Sequence, residues 1–496
     1  MRKSCFIVNF TTLLIIVFML QSVGAQHNSK TIEIPVGSTF YDFIEGQGRK
    51  MAQATNVGGD GLHVVFDRQA PSSSFRSIAY DYYETSLGLF WGNQDISGGT
   101  DGFIANGLGD EAFIAFKNMG SIELMQDASE ANFFFSNIFS LPNALTVGYA
   151  GYQNKAILST TTLNNPLQDS LRISDNGFST WISTSFPNPD PLTTSNGTIA
   201  SAIINPANTE HFSFLLTPNK TATAPNGSLI KLTTINNAIS WTVEEIHNDD
   251  NVYFNNTTYQ VEDFSDVNGV YDSFGDYHIV TGAVRGFVDQ NDPIFPILHW
   301  RTNRAEPEEL TDPFYGRNPD SLVQQGLINF RPGNGLANAY PQIARAGDGY
   351  LFVAWQQWEN NPDGSLRTLT GSAGEEVFAT DIWGCIITPF GFPLPSFKIA
   401  GQEGFSDVFP RLPETLQIVS GAQDSLIVEL LYLRDTDPGV SVLGQNNESL
   451  CDWIFVKQSV AIPITGVEQS EWPIGITDFN LSQNYPNPFN PSTTIS

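Results

Sequence analysis

A cluster of basic and aromatic side chains stands out near the middle of the sequence. Its members fall within twenty residues and are Arg285, His299, Trp300, Arg301 and Arg304. Guanidinium groups bind carboxylate or sulfate through paired hydrogen bonds, and aromatic rings attract cations. If these side chains share one face, they form a ligand-binding site for a carboxylated or sulfated sugar. The alternative is ordinary ion pairing with Glu306, Glu308 and Glu309, which follow directly.

Acidic runs offer a second kind of chemistry. Asp249 and Asp250 are adjacent, and Asp435 and Asp437 stand in a short run that ends at Gly439. Carboxylate oxygens of this kind are suited to Ca²⁺. The alternative is a solvated turn in which an Asp side chain accepts a hydrogen bond from its own backbone. We expect no other cofactor.

Sequence patterns of common catalytic sites are missing. The chain contains no GxSxG, HExxH, CxxC, phosphate loop or dinucleotide fingerprint. The six His residues are scattered without metal-ligand spacing, so we expect no metal site built on histidine. A carboxylate pair for glycoside hydrolysis cannot be picked out among 52 acidic residues, because the pair is defined by its separation in space.

Composition limits the class of partner. The 496 residues include 23 Lys and Arg against 52 Asp and Glu, which gives the net charge of −29. Nucleic acid and anionic membranes are therefore poor partners. Aromatic residues make up 12% of the chain, so a large hydrophobic core is expected.

The first 25 residues read as a secretory signal peptide. Arg2 and Lys3 precede an apolar stretch from Phe10 to Leu20, and Val23-Gly24-Ala25 forms a small-residue cleavage site. We expect a secreted or cell-surface protein, and no later stretch is long and apolar enough to predict a membrane span. After cleavage two cysteines remain, Cys385 and Cys451, and we expect them to be unpaired.

The candidate binding residues must be positioned by a scaffold, and the sequence predicts that this scaffold is an all-β fold. Seven runs each combine a polar or Gly-containing turn with alternating apolar residues: GDGLHVVFD, GDEAFIAFK, ALTVGYAGY, NTEHFSFLL, FGDYHIVTG, GDGYLFVAW and QDSLIVELL. Second strands, which often carry Trp, follow them. A repeated unit of strands predicts a single β-propeller over residues 30–465, with about seven blades and a range of six to eight. The early strand TIEIPVG would complete the last blade and close the ring. The alternative architecture is one large β-sandwich or two tandem β-sandwiches.

Residues 481–496 read LSQNYPNPFNPSTTIS, and this stretch closely resembles the start of the C-terminal sorting domain of the type IX secretion system in the Bacteroidota. The resemblance implies export through the type IX secretion machinery, with a small β-sandwich that would continue beyond the residues present. Residues 466–480 show no clear pattern and are interpreted as a linker.

A weaker resemblance lies at Arg172 to Ser183, RISDNGFSTWIS, which is similar to the Asp-box hairpin of sialidase-like propellers. The resemblance implies that Asp175 caps its own turn, Gly177 takes a positive φ and Trp181 packs under the hairpin. The arginine motif of sialidases is absent, and the stretches from Phe330 and from Phe409 match it only in part.

These observations predict a secreted or surface-attached binding propeller without catalytic activity of its own, which takes a carbohydrate or protein ligand. The alternative is a glycan-active hydrolase or lyase of the sialidase-like propeller type, whose acidic residues are hidden among ordinary ones.

Overall fold

The protein is an all-β, seven-bladed β-propeller in the computed structural model. The structure describes residues 31–43, 48–54, 60–142, 144–162, 170–185, 198–217, 229–248, 251–253, 258–261, 266–285, 295–311, 336–374, 376–421, 423–441 and 446–462. The predicted signal peptide, the predicted linker, the stretch that resembles a type IX sorting domain, and Asp249-Asp250 lie outside these residues. Within the described residues, no helix is both long and apolar enough to cross a membrane.

The strands are numbered in chain order, and each blade is an antiparallel sheet. Blade one contains β2 (Met51–Ala54), β3 (Gly61–Gln69), β4 (Arg76–Glu84), β5 (Leu89–Phe90) and β6 (Gln94–Gly98). Blade two contains β7 (Thr100–Asn106), β8 (Ala112–Asn118), β9 (Ser121–Asp127) and β10 (Phe135–Pro142). Blade three contains β11 (Ala144–Tyr152), β12 (Lys155–Thr162), β13 (Ser170–Ser174) and β14 (Ile182–Ser185). Blade four contains β15 (Thr198–Ile204), β16 (Phe212–Thr217), β17 (Leu229–Thr234) and β18 (Thr242–His247).

The remaining three blades complete the ring. Blade five contains β19 (Tyr259–Val261), β20 (Val267–Tyr271), β21 (Tyr277–Arg285), β22 (Ile297–Arg301) and β23 (Glu308–Glu309). Blade six contains β24 (Asn338–Arg345), β25 (Leu351–Trp358), β28 (Thr380–Ile387) and β29 (Phe397–Ala400), with a side hairpin of β26 (Thr368–Thr370) and β27 (Glu376–Phe378) and a one-turn 3₁₀ segment at Gly347–Gly349. Blade seven contains β30 (Ser406–Arg411), β31 (Gln417–Val419), β32 (Ser425–Asp435), β33 (Cys451–Ala461) and β1 (Ile32–Thr39).

The N-terminal strand closes the ring, as its sequence predicts. β1 pairs antiparallel with β33, so that Ile32 lies opposite Lys457 and Thr39 lies opposite Cys451. This pairing supplies the outermost strand of blade seven from the other end of the chain and covers the edge of β33.

Six of the seven predicted runs form the second strand of a blade, in β3, β8, β16, β21, β25 and β32. ALTVGYAGY differs, because it forms β11, the innermost strand of blade three. The innermost strands of the ring are β2, β7, β11, β15, β20, β24 and β30. Apolar residues on the faces of adjacent blades pack into cores between them, and Trp300, Trp355, Trp358 and Trp453 are buried there.

The turn at residues 174–181 differs from the Asp-box expectation in one respect. Gly177 has φ of 65°, as predicted, but Asp175 bonds to Lys155 Nζ at 2.6 Å and to Asn237 Nδ2 at 2.9 Å. Asn176 caps the turn instead, because its Oδ1 accepts the backbone N–H of Thr180 at 3.0 Å. The same arrangement recurs one blade later, where Asn236 Oδ1 accepts the backbone N–H of Ser240 at 2.9 Å. The capping residue is thus one position after the one expected from the Asp-box resemblance.

The two cysteines are unpaired, as predicted. Cys385 lies on β28 in blade six and Cys451 lies on β33 in blade seven, and both are buried. Burial raises the pKa of the Cys385 thiol to about 12, so the thiol is not reactive at neutral pH.

Candidate functional site

The middle of the ring holds a set of buried charges that we call the charged belt. Its members are Lys50, Asp67, Asp101, Asp266 and Arg411, and each side chain is almost completely buried. Arg411 Nη1 lies 2.5 Å from Asp266 Oδ2, and Lys50 Nζ lies 3.7 Å from Asp67 Oδ1. The belt cations therefore face carboxylates, and the belt leaves little charge free for a ligand.

A cavity of about 240 Å³ lies next to the charged belt on the axis of the ring. Its walls come from the ends of the inner strands, where Asn106 ends β7, Tyr152 ends β11 and Arg345 ends β24. Because the inner strands of a propeller run in the same direction, these ends open on one face of the ring, which we call the cavity face. The loops between first and second strands and between third and fourth strands lie on this face.

Arg49 is the first of two guanidinium groups in the cavity. Its Nη2 donates to the carbonyl oxygen of Gly269 at 3.1 Å, and its Nη1 donates to the carbonyl oxygens of Leu412 and Pro413 at 3.4 Å. In the part of the chain that the structure describes, no carboxylate lies within ion-pair distance of Arg49. Burial lowers the pKa of Arg49 to about 10, the nearby charge of Glu414 opposes this shift, and Arg345 and Arg411 add to it by smaller amounts. The group stays charged at neutral pH.

The second guanidinium belongs to Arg345. Its Nη1 forms an ion pair with Glu414 Oε1 at 2.7 Å, and its guanidinium carbon lies 4.7 Å from the centre of the Tyr152 ring. Glu414 is the one carboxylate among the described residues that line the cavity. The lining thus carries two positive groups and one negative group, beside an aromatic ring and the amides of Gln53, Asn106 and Gln153. This set suits a ligand that carries an anionic group.

The cluster predicted from sequence is divided by the pleat of β22. Trp300 points into the core between blades, where its ring lies 5.6 Å from that of His247. His299 is also buried, and its Nε2 lies 3.0 Å from Nδ1 of His278. Burial lowers the pKa of His299 to about 4, so this imidazole is neutral at physiological pH. Neither ring is exposed to a ligand in solution.

The three arginines of the cluster do not lie together. Arg301 and Arg304 lie at the cavity face, where Arg301 Nη1 donates to the carbonyl oxygen of Phe390 at 3.0 Å and Arg304 pairs with Glu308. Arg285 lies at the other end of β21, opposite Tyr259, whereas Arg301 lies opposite His278 near the start of that strand. Ligand binding by these residues remains a prediction, and the geometry leaves Arg301 as its best-placed member.

The acidic turn at residues 435–439 takes the form of the Asx-turn alternative. Asp435 Oδ1 accepts the backbone N–H of Asp437 at 2.9 Å, and Asp437 Oδ1 accepts that of Ser372 at 2.6 Å. Among the described residues, no group of three or more His, Cys, Asp or Glu side chains is arranged to hold a metal ion.

Sequence reasoning missed the cavity residues because they are far apart in the chain. Arg49, Tyr152, Arg345 and Glu414 come from blades one, three, six and seven. The available signal is positional: Tyr152 and Arg345 each stand directly before the turn that links the first and second strands of a blade. A polar residue at the end of the first strand of a blade therefore lies next to the central axis of the ring.

Comparison with known proteins gives no family. No protein-family model matches the chain, and no curated protein matches it.

Several solved structures resemble this one at low sequence identity. A protein of unknown function from Dyadobacter fermentans is 9% identical, with a TM-score of 0.41, over 86% of this chain and 99% of its own. A polysaccharide lyase, an ulvan lyase of family PL25, is 9% identical, with a TM-score of 0.45, over 86% of this chain and 96% of its own. The six-bladed fucose-binding lectin of Aleuria aurantia is 10% identical, with a TM-score of 0.34, over 65% of this chain and 86% of its own. Each is a structure to which this chain is similar in overall fold.

Proposed function

We propose that this protein is a secreted or cell-surface propeller that binds a carboxylated carbohydrate in its central cavity and has no catalytic activity of its own. The observation that carries the proposal is Arg49, a guanidinium that faces the cavity and whose hydrogen-bond partners among the described residues are carbonyl oxygens. An anionic ligand would give it the charge-assisted partner that the described part of the protein does not supply.

The size and lining of the cavity support a single charged sugar unit. At about 240 Å³ the cavity is smaller than the ~300–1,000 Å³ usual for drug-sized ligands, so one sugar residue would fit and a buried oligosaccharide would not. Tyr152 offers an aromatic ring beside the amides of Gln53 and Asn106, which can bond to sugar hydroxyls. The rest of the glycan would extend over the cavity face.

The same lining argues against the hydrolase alternative. Glycoside hydrolysis uses two carboxyl groups about 5 to 10 Å apart. Glu414 is the one carboxylate among the described lining residues, and it is paired with Arg345. We therefore favour binding over hydrolysis, and a lyase is left for the experiment to exclude.

The test is calorimetric titration of the full chain with oligogalacturonides and with the same oligomers as methyl esters. The ester keeps every hydroxyl and removes the charge. We expect the acid form to bind at least tenfold more tightly, because a charge-assisted hydrogen bond contributes about 1.5–3 kcal/mol. Arg49→Gln should abolish this preference, whereas Arg172→Gln, a half-buried arginine on β13, should keep it. Equal binding of acid and ester would contradict the proposal.

Catalysis and export are tested separately. Appearance of unsaturated or reducing ends during incubation with the same oligomers would show an enzyme and overturn the non-catalytic part of the proposal. Mass spectrometry of the exported protein should give an N-terminus at Gln26, after the Ala25 cleavage site. Passage through the type IX machinery should be lost when residues 481–496 are deleted, and unchanged export of that variant would contradict the proposed route.

A further inference from the structure

Three phenylalanine side chains are exposed together on the cavity face, where blades five and six meet. Phe274 is 71% exposed, Phe390 is 73% exposed and Phe392 is 64% exposed. Phe274 lies in the loop between β20 and β21, and the other two lie in the loop between β28 and β29. Exposed apolar residues that occur singly are normal in proteins, but a contiguous group indicates an interaction site.

Both loops lie close to Gly349, in the turn between β24 and β25 of blade six. A Cβ atom placed on Gly349 would lie 2.6 Å from a ring carbon of Phe274 and 3.3 Å from the Cβ of Pro389. Gly349 therefore lets the Phe274 ring lie against blade six, beside the loop that carries Phe390 and Phe392. The three rings belong to one surface although they come from different blades.

The loop of blade six is held in a fixed shape. The backbone N–H of Thr388 donates to the carbonyl oxygen of Phe392 at 2.9 Å, and the backbone N–H of Gly391 donates to the carbonyl oxygen of Thr388 at 2.7 Å. Gly391 has φ of 80°, a conformation that other residues adopt only with strain. A rigid loop loses little conformational entropy when a partner binds to its exposed rings.

Arg301 supplies a positive charge to this surface. Its side chain crosses from blade five, and its Nη1 donates to the carbonyl oxygen of Phe390 at 3.0 Å. The guanidinium lies directly against Gly391, since a Cβ on that residue would come within 1.7 Å of Arg301 Nη1. Within the described residues no carboxylate lies within ion-pair distance of Arg301, whereas nearby Arg304 is paired with Glu308.

We propose that this surface, the Phe patch of Phe274, Phe390 and Phe392 with Arg301, binds a protein partner through an extended segment that carries a carboxylate next to a large apolar side chain. Phenylalanine has no polar group to match sugar hydroxyls, so three exposed rings favour an apolar side chain over a glycan. The guanidinium beside them provides charge complementarity for Asp, Glu or a C-terminal carboxylate. The Phe patch is separate from the cavity, and its ligand is of another chemical class.

The test uses the full chain and a fluorescent hexapeptide library in which one central position is Asp or Glu and its neighbour is Leu, Phe or Trp. The matched library has Asn or Gln at the acidic position. We expect binding by fluorescence polarisation for acidic peptides, and binding at least tenfold weaker for the matched amides. Absence of binding at millimolar peptide, or equal binding of acid and amide peptides, would overturn the proposal.

Variants locate the site. Arg301→Gln and the double variant Phe390→Ser, Phe392→Ser should each weaken peptide binding at least tenfold. Gly391→Ala should do the same, because its methyl group would displace the Arg301 guanidinium. Arg304→Gln, in the turn directly after β22, is the control and should bind as the unaltered protein does.

Two further outcomes bear on the class of ligand. Arg49→Gln, which alters the cavity, should leave peptide binding unchanged, and a loss there would overturn the separation of the two sites. If acidic oligosaccharides compete with the peptide at the Phe patch and depend on Arg301, the patch is a glycan site and the peptide proposal is wrong.

Discussion

The charged belt and the cavity lie side by side at the centre of the ring, and they balance their charges differently. In the belt, Arg411 meets Asp266 and Lys50 faces Asp67. In the cavity, Arg49 meets backbone carbonyl oxygens. A carbonyl dipole offsets only part of the cost of keeping a guanidinium away from water, whereas a carboxylate offsets more. An arginine paired with a carboxylate is therefore structural, whereas an arginine bound to carbonyl oxygens remains available to a ligand.

The largest expected effect comes from breaking the best pair in the belt. Arg411→Leu leaves Asp266 buried without its cation, and burial already raises the pKa of that carboxyl. We expect the free energy of unfolding to fall by about 3–5 kcal/mol in urea denaturation. Adding Asp266→Asn to the same chain should recover part of the loss, since it removes the orphaned charge. A loss below ~1 kcal/mol for Arg411→Leu would mean that the belt is not structural.

His63 is a buried polar residue of blade one, on β3 and outside the charged belt and the cavity. His63 Nδ1 lies 2.7 Å from the Tyr80 hydroxyl, and its Nε2 lies 2.8 Å from the carbonyl oxygen of Asp110. Burial lowers the pKa of His63 from 6.5 to about 4. The unfolded chain therefore binds this proton first, and stability should fall as the pH drops from 6.5 towards 4, by up to about 3 kcal/mol for this residue.

His63→Gln checks that assignment. The variant should lose stability at neutral pH but show a shallower decline between pH 6.5 and 4 in denaturation measured at several pH values. His299, whose pKa is also lowered by burial to about 4, remains in the variant and should preserve part of the slope. An unchanged slope would show that His63 is already protonated in the folded protein.

Arg49→Gln sharpens the contrast at the cavity. The change removes bonds to the carbonyl oxygens of Gly269, Leu412 and Pro413 and exposes no unpaired carboxylate. We expect a loss of only about 1 kcal/mol in stability, beside the loss of preference for acidic ligands. A destabilisation as large as that of Arg411→Leu would place Arg49 with the structural charges and weaken the proposed function.

Lys50→Met should have the smallest effect. Lys50 Nζ lies 3.7 Å from Asp67 and lacks a hydrogen-bond partner in the described structure. In the variant, Asp67 Oδ2 would still accept a hydrogen bond from the backbone N–H of Asp101, at 3.1 Å in the structure. Burial lowers the pKa of Lys50, so a Met side chain of similar volume avoids the cost of burying the ammonium, and this gain offsets the lost attraction to Asp67. Stability should therefore change by less than ~1 kcal/mol, and thermal unfolding would detect a larger change. A large loss would show that loosely paired belt cations matter as much as Arg411.

The scaffold was predictable from sequence to a greater extent than the sites. Alternating apolar runs behind Gly- and Asp-containing turns report local structure, which is why six runs were correctly interpreted as equivalent strands. The role proposed for Arg301 depends on Phe390 and Gly391, which lie almost ninety residues away in the next blade. Spacing along the chain placed Arg301 with Trp300, but the pleat of β22 sends neighbouring side chains to opposite faces.

The turn at Asn176 shows the same limit on a smaller scale. The sequence indicated a capped hairpin with a left-handed glycine, and both features are present. It did not indicate which of two adjacent side chains caps the turn. Asp175 bonds instead to Lys155 at the start of β12 and to Asn237 in the turn between β17 and β18, and these tertiary partners cannot be identified from the local motif.

The pairing of β1 with β33 has a consequence for how the protein is made. Ile32 emerges early from the ribosome, and its partner Lys457 emerges only when most of the chain has been synthesised. Until then β1 has no partner strand, and an unpaired strand can recruit strands from other chains. Closing such a long loop late makes folding slow. If the protein is exported as proposed, a chain that crosses the membrane before the ring closes would avoid that exposure in the cytoplasm, and transport and ring closure would then be coupled in time.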